Sequence, residues 1–275
     1  MTAFFHHFAY DFKTGIRDRS RLLMFYLFPL AFFFLIGGLM SSLNPGFRQT
    51  MIPAMVLFAF MCAALLNLPS VLVSARESGV FRSYRINGVP AASILSIPVL
   101  GTAVHMFIVA MIVSVAGARI FHGETPAGVA GFVAAAVLSY AAYAGIGVLI
   151  GVAAGSATAS ILIAQLIYIP SIMLGGLMVP TSMLPGALKR ISFLLPATHS
   201  MAVFSGLSRI GASAGSAVIV PWFSIAVLGA GVVLSFSLAA ALFQWDTRAS
   251  QPGRKAFLAI LAAAPYVAAA LIGPR

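Results

Sequence analysis

Arg76, Glu77, Arg82 and Arg85 crowd into one short stretch, ARESGVFRSYRINGVPAA from Ala75 to Ala92, with Gly79 between the two pairs. Guanidiniums and a carboxylate grouped in this way have the chemistry of a charged docking surface, or of a solvated loop whose arginines only fix membrane topology. Elsewhere reactive residue types are sparse. His6 and His7 are adjacent, but neither a partner cysteine nor a carboxylate stands at ligand spacing, so no metal site is predicted there. His105 lies inside an apolar run, where an imidazole serves as a proton site or as hydrogen-bonded glue between helices. Asn67, Gln165, Tyr140, Tyr143 and Tyr168 also lie in apolar runs and are candidates to line a substrate path, with plain packing as the competing role. No lysine follows a glycine, which excludes the phosphate-cradling G-x-x-x-x-G-K-[ST] loop. Serine, histidine and acid form no recognisable hydrolytic motif, and H-E-x-x-H is absent. The five acidic residues, Asp11, Asp18, Glu77, Glu124 and Asp246, all fall at or beyond the ends of apolar runs, so His105 alone is an intramembrane candidate for ion coupling.

What positions these residues is a membrane. Hydrophobic residues make up 61% of the 275 positions and charged ones 8%, with a mean hydropathy of +1.05. A water-soluble domain has no use for so much apolar surface, and the composition is that of a polytopic membrane protein. A formal charge of +11 would suit nucleic acid, but the basic residues sit between apolar runs instead of forming one patch. They read as topology anchors and contacts for anionic lipid headgroups, with no nucleic-acid partner. The single cysteine, Cys62, allows no intrachain disulfide. No apolar signal core precedes Arg21, and an uncleaved chain is expected.

About 20 helical residues cross a bilayer, and six runs reach that length: 22–40, 51–74, 93–118, 127–151, 159–179 and 222–243. Pro29, Pro53 and Pro69 predict kinks, which membrane helices tolerate. Gly147, Gly151 and Gly155 form a small-xxx-small row that predicts a fourth span packed against protein instead of lipid. Ahead of the first span, residues 3–20 put Phe5, Phe8, Phe12 and Ile16 on one helical face, with His7, Asp11, Thr14 and Asp18 opposite. That pattern predicts an amphipathic helix in the interface. In the 75–92 segment, Val80, Tyr84 and Val89 are expected to share a face turned away from Arg82 and Arg85. Two short helices, 185–195 and 199–210, each wet on one side, are expected in a re-entrant or interfacial segment over 180–215. A basic linker follows from residue 246, and the apolar run 256–272, interrupted by Pro265, fits either a seventh span or a tail lying on the membrane.

With the N-terminus inside, one face holds Lys13, Arg17, Arg19, Arg21, Arg76, Arg82, Arg85, Arg248, Arg254 and Lys255. The other holds Arg48, Arg119, Lys189, Arg190 and Arg209. The excess places the N-terminus and the 75–92 segment in the cytoplasm.

Over residues 1–245 the pattern resembles the membrane subunits of ABC-2-type transporters. The resemblance rests on the N-terminal helix, the six spans, and a charged segment between the second and third that is similar to the family's R-E-x-G motif, here Arg76, Glu77 and Gly79. It rests also on the stretch GGLMVPTSMLPGALKRISFLLPATHSMAVFSGL, with Pro180, Leu184, Pro185 and Pro196 where such proteins carry an external re-entrant segment. Val80 and Phe81 depart from the polar residues often found after that glycine, and the apolar tail exceeds six spans. The resemblance implies an all-α six-helix transmembrane domain that is itself not an enzyme and carries no cofactor. ATP and Mg2+ would then bind a separate ATPase subunit, and this chain would pair with a second copy or a paralogue in a bacterial inner membrane. Arg76, Glu77, Gly79, Arg82 and Arg85 would couple to the ATPase, with Asn67, His105, Gln165 and Tyr168 on the substrate path. The expected activity is export of a hydrophobic or amphipathic substrate such as a drug, a lipid-linked molecule or a peptide. The alternative is an autonomous secondary carrier with His105 as its proton site.

Overall fold

Apolar segments inside a bilayer must satisfy their own backbone groups, and helices do so within one segment. In the computed structural model, which describes residues 2–210, 221–245 and 257–272, the elements are helical and no strand occurs among the described residues. Among the described residues six helices are long and apolar enough to cross a membrane: α2 (Arg19–Leu43), α3 (Met51–Glu77), α5 (Ala91–Ile120), α6 (Val129–Ala153), α7 (Ala157–Leu174) and α10 (Pro221–Leu242). Around them lie α1 (Thr2–Arg17), α4 (Val80–Ile86), α8 (Gly186–Ser192), α9 (Pro196–Ser208) and α11 (Phe257–Ile272). Most of the expected basic linker, including Arg248, Arg254 and Lys255, lies outside the described residues, as does the end of the re-entrant segment after Ile210.

Two of the predicted kinks take a specific form. Wide π-helical turns, Leu23–Leu27 and Cys62–Asn67, stand just ahead of Pro29 and Pro69. A proline lacks the N–H and its ring crowds the carbonyl four residues back; a turn with one extra residue absorbs both defects. Pro53 lies in the first turn of α3, where no intrahelical partner is lost.

Helices in lipid gain nothing from hiding apolar surface from each other, so close packing at small residues holds them. A Cβ on Gly147 of α6 would overlap the Ala64 carbonyl of α3, and one on Gly151 would come within 3.0 Å of Leu72. Gly155, the third member of the row, falls beyond the end of α6 with nothing nearby, and plays no part. The result is a buried pair: 78% of the most apolar window of α3 and 72% of that of α6 are covered, against 22% for α2 and α7. On its other sides α6 meets α9, where Gly131 abuts the Leu207 carbonyl, and α10, where Gly145 faces Ser235 and Phe236.

Two expectations change. First, α1 does not turn a purely apolar face to the bundle: His7, Phe8, Asp11 and Phe12 are half-buried while Phe5, Tyr10 and Ile16 are exposed. His7 turns inward against the Tyr84 ring of α4, and Asp11 lines a cavity with residues of α2, α3 and α5. Second, α9 is not wet on one side, since every residue from Pro196 to Phe204 is buried. It meets α8 at an 85° bend, held by His199, whose Nε2 lies 2.9 Å from the Phe193 carbonyl and whose Nδ1 lies 3.2 Å from Ser224 Oγ of α10. The apolar run for which the sequence left a seventh span and a tail both open forms α11, which lies along α10 in the opposite direction: Ala259 and Ala262 pack beside Ala239 and Leu242, and Ala270 beside Phe193 and Phe223. Midway, the Tyr266 ring closes over Gly231.

Candidate functional site

At Glu77 the chain leaves α3 and must turn at once into α4. Gly79 makes the turn at φ +78°, in the left-handed region, with nothing within 4 Å of where a Cβ would stand. Backbone conformation, not space, demands glycine there. Between Gly79 and Gly88, α4 is clipped down at two points. Phe81, 4% exposed, packs on Phe243 at the end of α10 with ring centroids 5.5 Å apart. Tyr84 meets His7 of α1 at 4.9 Å. Val80, expected on the buried face, is 38% exposed, because the helix rolls to seat the larger Phe81 instead. Burial raises the Tyr84 phenol above its ordinary value, with smaller pushes from the Asp11 carboxylate and Tyr10.

The charged residues then divide. Glu77, Arg82 and Arg85 are exposed beside Ile86, which is 78% exposed, so α4 presents a cationic face with an apolar tip. Arg76 turns the other way. Its Nη1 donates to the carbonyls of Gly151 (3.4 Å) and Val152 (2.9 Å), and its Nη2 donates to that of Ala154. These are carbonyls at the C-terminal end of α6 that no intrahelical N–H reaches, and the guanidinium also meets the negative end of the helix dipole. Arg76, counted in the sequence among the docking residues, is therefore an internal cap. Its Nε is buried without a partner.

A second polar group sits at the same end of the bundle, between α1, α2, α3 and α5. Asp11, Arg21, Asn67, Thr102 and His105 line one small cavity together with Phe12, Phe25 and Pro98. The surrounding helices are irregular here: Phe25 and Asn67 belong to the two π turns, and Pro98 interrupts α5. His105 is 4% exposed; its Nδ1 lies 2.8 Å from the Tyr26 hydroxyl, and Phe12 stacks on its ring at 5.1 Å. Arg21 reaches back across Gly15 of α1, and its backbone N–H donates to Asp18 Oδ1 at 3.2 Å, which caps α2.

The four residues expected on a substrate path do not converge. Asn67 and His105 share the cavity, whereas Gln165 and Tyr168 stand on α7 and do not line it. The Tyr168 hydroxyl is 3.1 Å from Cys62 Sγ, and Tyr140 donates to the Val99 carbonyl at 2.7 Å; both bind span to span. The letters G-x-S-x-G do occur once, Gly211 to Gly215, contrary to the expectation of no hydrolytic motif. They lie outside the described residues, and the strand that a nucleophile elbow needs is absent among the described residues. Among the described residues no group of three or more His, Cys, Asp or Glu could hold a metal.

Sequence reasoning missed Asp11, Arg21, Thr102 and Phe81. The sequence does put His7 and Asp11 on one polar stripe of α1, but nothing local brings that stripe to α4 or α5.

Among known families, the model described as ABC-2 type transporter matches residues 2–208, from α1 through α9, and so includes the 75–92 segment. No curated protein and no solved structure matches the chain. Membrane chains of this family are transport components that normally work with an ATPase subunit. The chain, a multi-pass membrane permease of an ABC transporter, belongs to the ABC-2 type transporter family.

Proposed function

We propose that this chain is the permease subunit of an ATP-driven exporter of a hydrophobic or amphipathic cargo, such as a drug, a lipid-linked molecule or a peptide. Power comes from a separate ATPase subunit holding ATP and Mg2+, and the permease pairs with a second copy or a paralogue. The observation that carries the reading is α4: a short helix, hinged at Gly79 and Gly88 and anchored through Phe81 and Tyr84, with Glu77, Arg82, Arg85 and Ile86 left outward. Anchored on one side and cationic on the other, it suits a partner that pushes from outside the membrane. The arginine excess supports a cytoplasmic α1 and α4 in a bacterial inner membrane. The exposed Phe5, Tyr10 and Ile16 of α1, among Lys13 and Arg17, suit contact with lipid.

The reading is tested by co-expressing the chain with each ATPase from its own genome neighbourhood and purifying through one subunit. A stoichiometric complex with one of them is expected, and failure with every candidate would overturn it. The carrier reading has one observation in its favour: Asp11, which the sequence set outside the membrane, shares the cavity of His105. On that reading His105→Ala abolishes gradient-driven uptake; on ours it leaves ATP-driven export in place.

A further inference from the structure

We infer that Arg76 is a positioning residue that pins α6 to the coupling segment, so that a push on α4 moves α3 and α6 as one unit. The inference rests on the reading above, in which an ATPase drives α4.

The geometry is specific. Arg76 stands in the last turn of α3, next to the Gly79 hinge, and its two Nη groups hold the carbonyls of Gly151, Val152 and Ala154. Three carbonyls gripped by one planar fork fix both the position and the rotation of the end of α6, which a lysine, with its compact ammonium, cannot do. Above the pin, Gly147 and Gly151 bring α6 into backbone contact with α3 at Ala64 and Pro69. Side chains packed so closely have no room to slide, so the two helices shift together or not at all.

The other route out of α4 is α5, which follows it in the chain. Only 39% of its most apolar window is covered, and it is tied to its neighbours through lone hydroxyls, that of Tyr26 at His105 and that of Tyr140 at Val99 and Thr102, with no guanidinium fork across several carbonyls among the described residues. From α6 the displacement passes to α9, through Gly131 against Leu207. From α9 it reaches the segment around Thr181, since Pro180 and Thr181 share a small pocket with Thr198 and Met201. Arg76 thereby links the driven end of the molecule to the re-entrant segment at its far end.

The test uses the full chain in complex with its ATPase, carrying Met183→Cys labelled with an environment-sensitive fluorophore. Met183 is 69% exposed beside Thr181, and the native Cys62 is buried. Addition of a non-hydrolysable ATP analogue with Mg2+ should shift the emission. Arg76→Gln should cut that shift about fivefold or more while the ATPase stays bound and active. Arg76→Lys should retain part of the shift, and Gly155→Ala, which meets nothing, should retain all of it. A full-sized shift in Arg76→Gln overturns the inference. If that variant does not fold, a full-sized shift in Arg76→Lys overturns it instead. A wild-type chain that binds no ATPase overturns the underlying reading and the inference with it, whereas a bound, active ATPase with an unmoved variant-to-wild-type ratio overturns the inference alone.

Discussion

Tyr26 of α2 and His105 of α5 meet at 2.8 Å, hydroxyl to Nδ1, although 79 residues separate them in the chain. With Phe12 and Phe25 covering the ring at 5.1 and 5.3 Å, the imidazole joins three helices at once. Tyr26→Phe removes one hydrogen bond and should cost about 1 kcal/mol. His105→Ala also leaves a cavity and should cost about 2 to 3 kcal/mol. Denaturant unfolding of the purified chain in detergent measures both, and equal losses would mean that the ring's packing contributes nothing.

Gly147 and Gly155 differ sharply although both belong to one small-residue row. Gly147→Ala drives a methyl into the Ala64 carbonyl and should cost about 1 to 3 kcal/mol as α3 and α6 are forced apart. Gly155→Ala should stay within about 0.5 kcal/mol of wild type. Thermal melting of the two variants side by side checks the contrast.

Phe81→Ala should release α4 from the end of α10. A loss of about 3 kcal/mol is expected for a buried phenylalanine, and the released helix should become cleavable by trypsin at Arg82 and Arg85. Persistent protection at those two sites would show that Tyr84 alone holds the helix.

Reversing the outward charge tests the docking face. The double variant Arg82→Glu with Arg85→Glu should weaken ATPase binding by about tenfold or more and leave the melting temperature unchanged, since both side chains are exposed. Binding kinetics at low and high salt should show the wild-type on-rate falling with ionic strength and the variant's not.

Much of this arrangement was legible in the sequence, because bilayer thickness converts composition directly into spans. Apolar run length predicted six crossings, and Gly147 and Gly151 predicted where α6 is approached closely. What escaped was everything that depends on rotation about a helix axis. Phe81 and Val80 are adjacent and both apolar, and only the ring of Phe243 decides which is buried. Asp11 looked solvent-bound because much of the cavity it lines, from Asn67 to Val71 and from Pro98 to His105, lies on helices remote in sequence. Arg76 looked like one of a set of similar arginines, and the carbonyls that recruit it are about as far along the chain as His105 is from Tyr26. The wide turns before Pro29 and Pro69 were half-visible, since proline announces a defect without saying how the backbone will absorb it.

The uneven covering of the crossings sets how this molecule can change over generations. Where α2 and α7 face outward, one greasy residue substitutes for another at little cost, and neutral drift there should run fast and unstructured. Along α3 and α6 a single added methyl meets backbone, so a comparison of distant relatives should find those two helices nearly frozen and shape, not polarity, deciding which replacements survive.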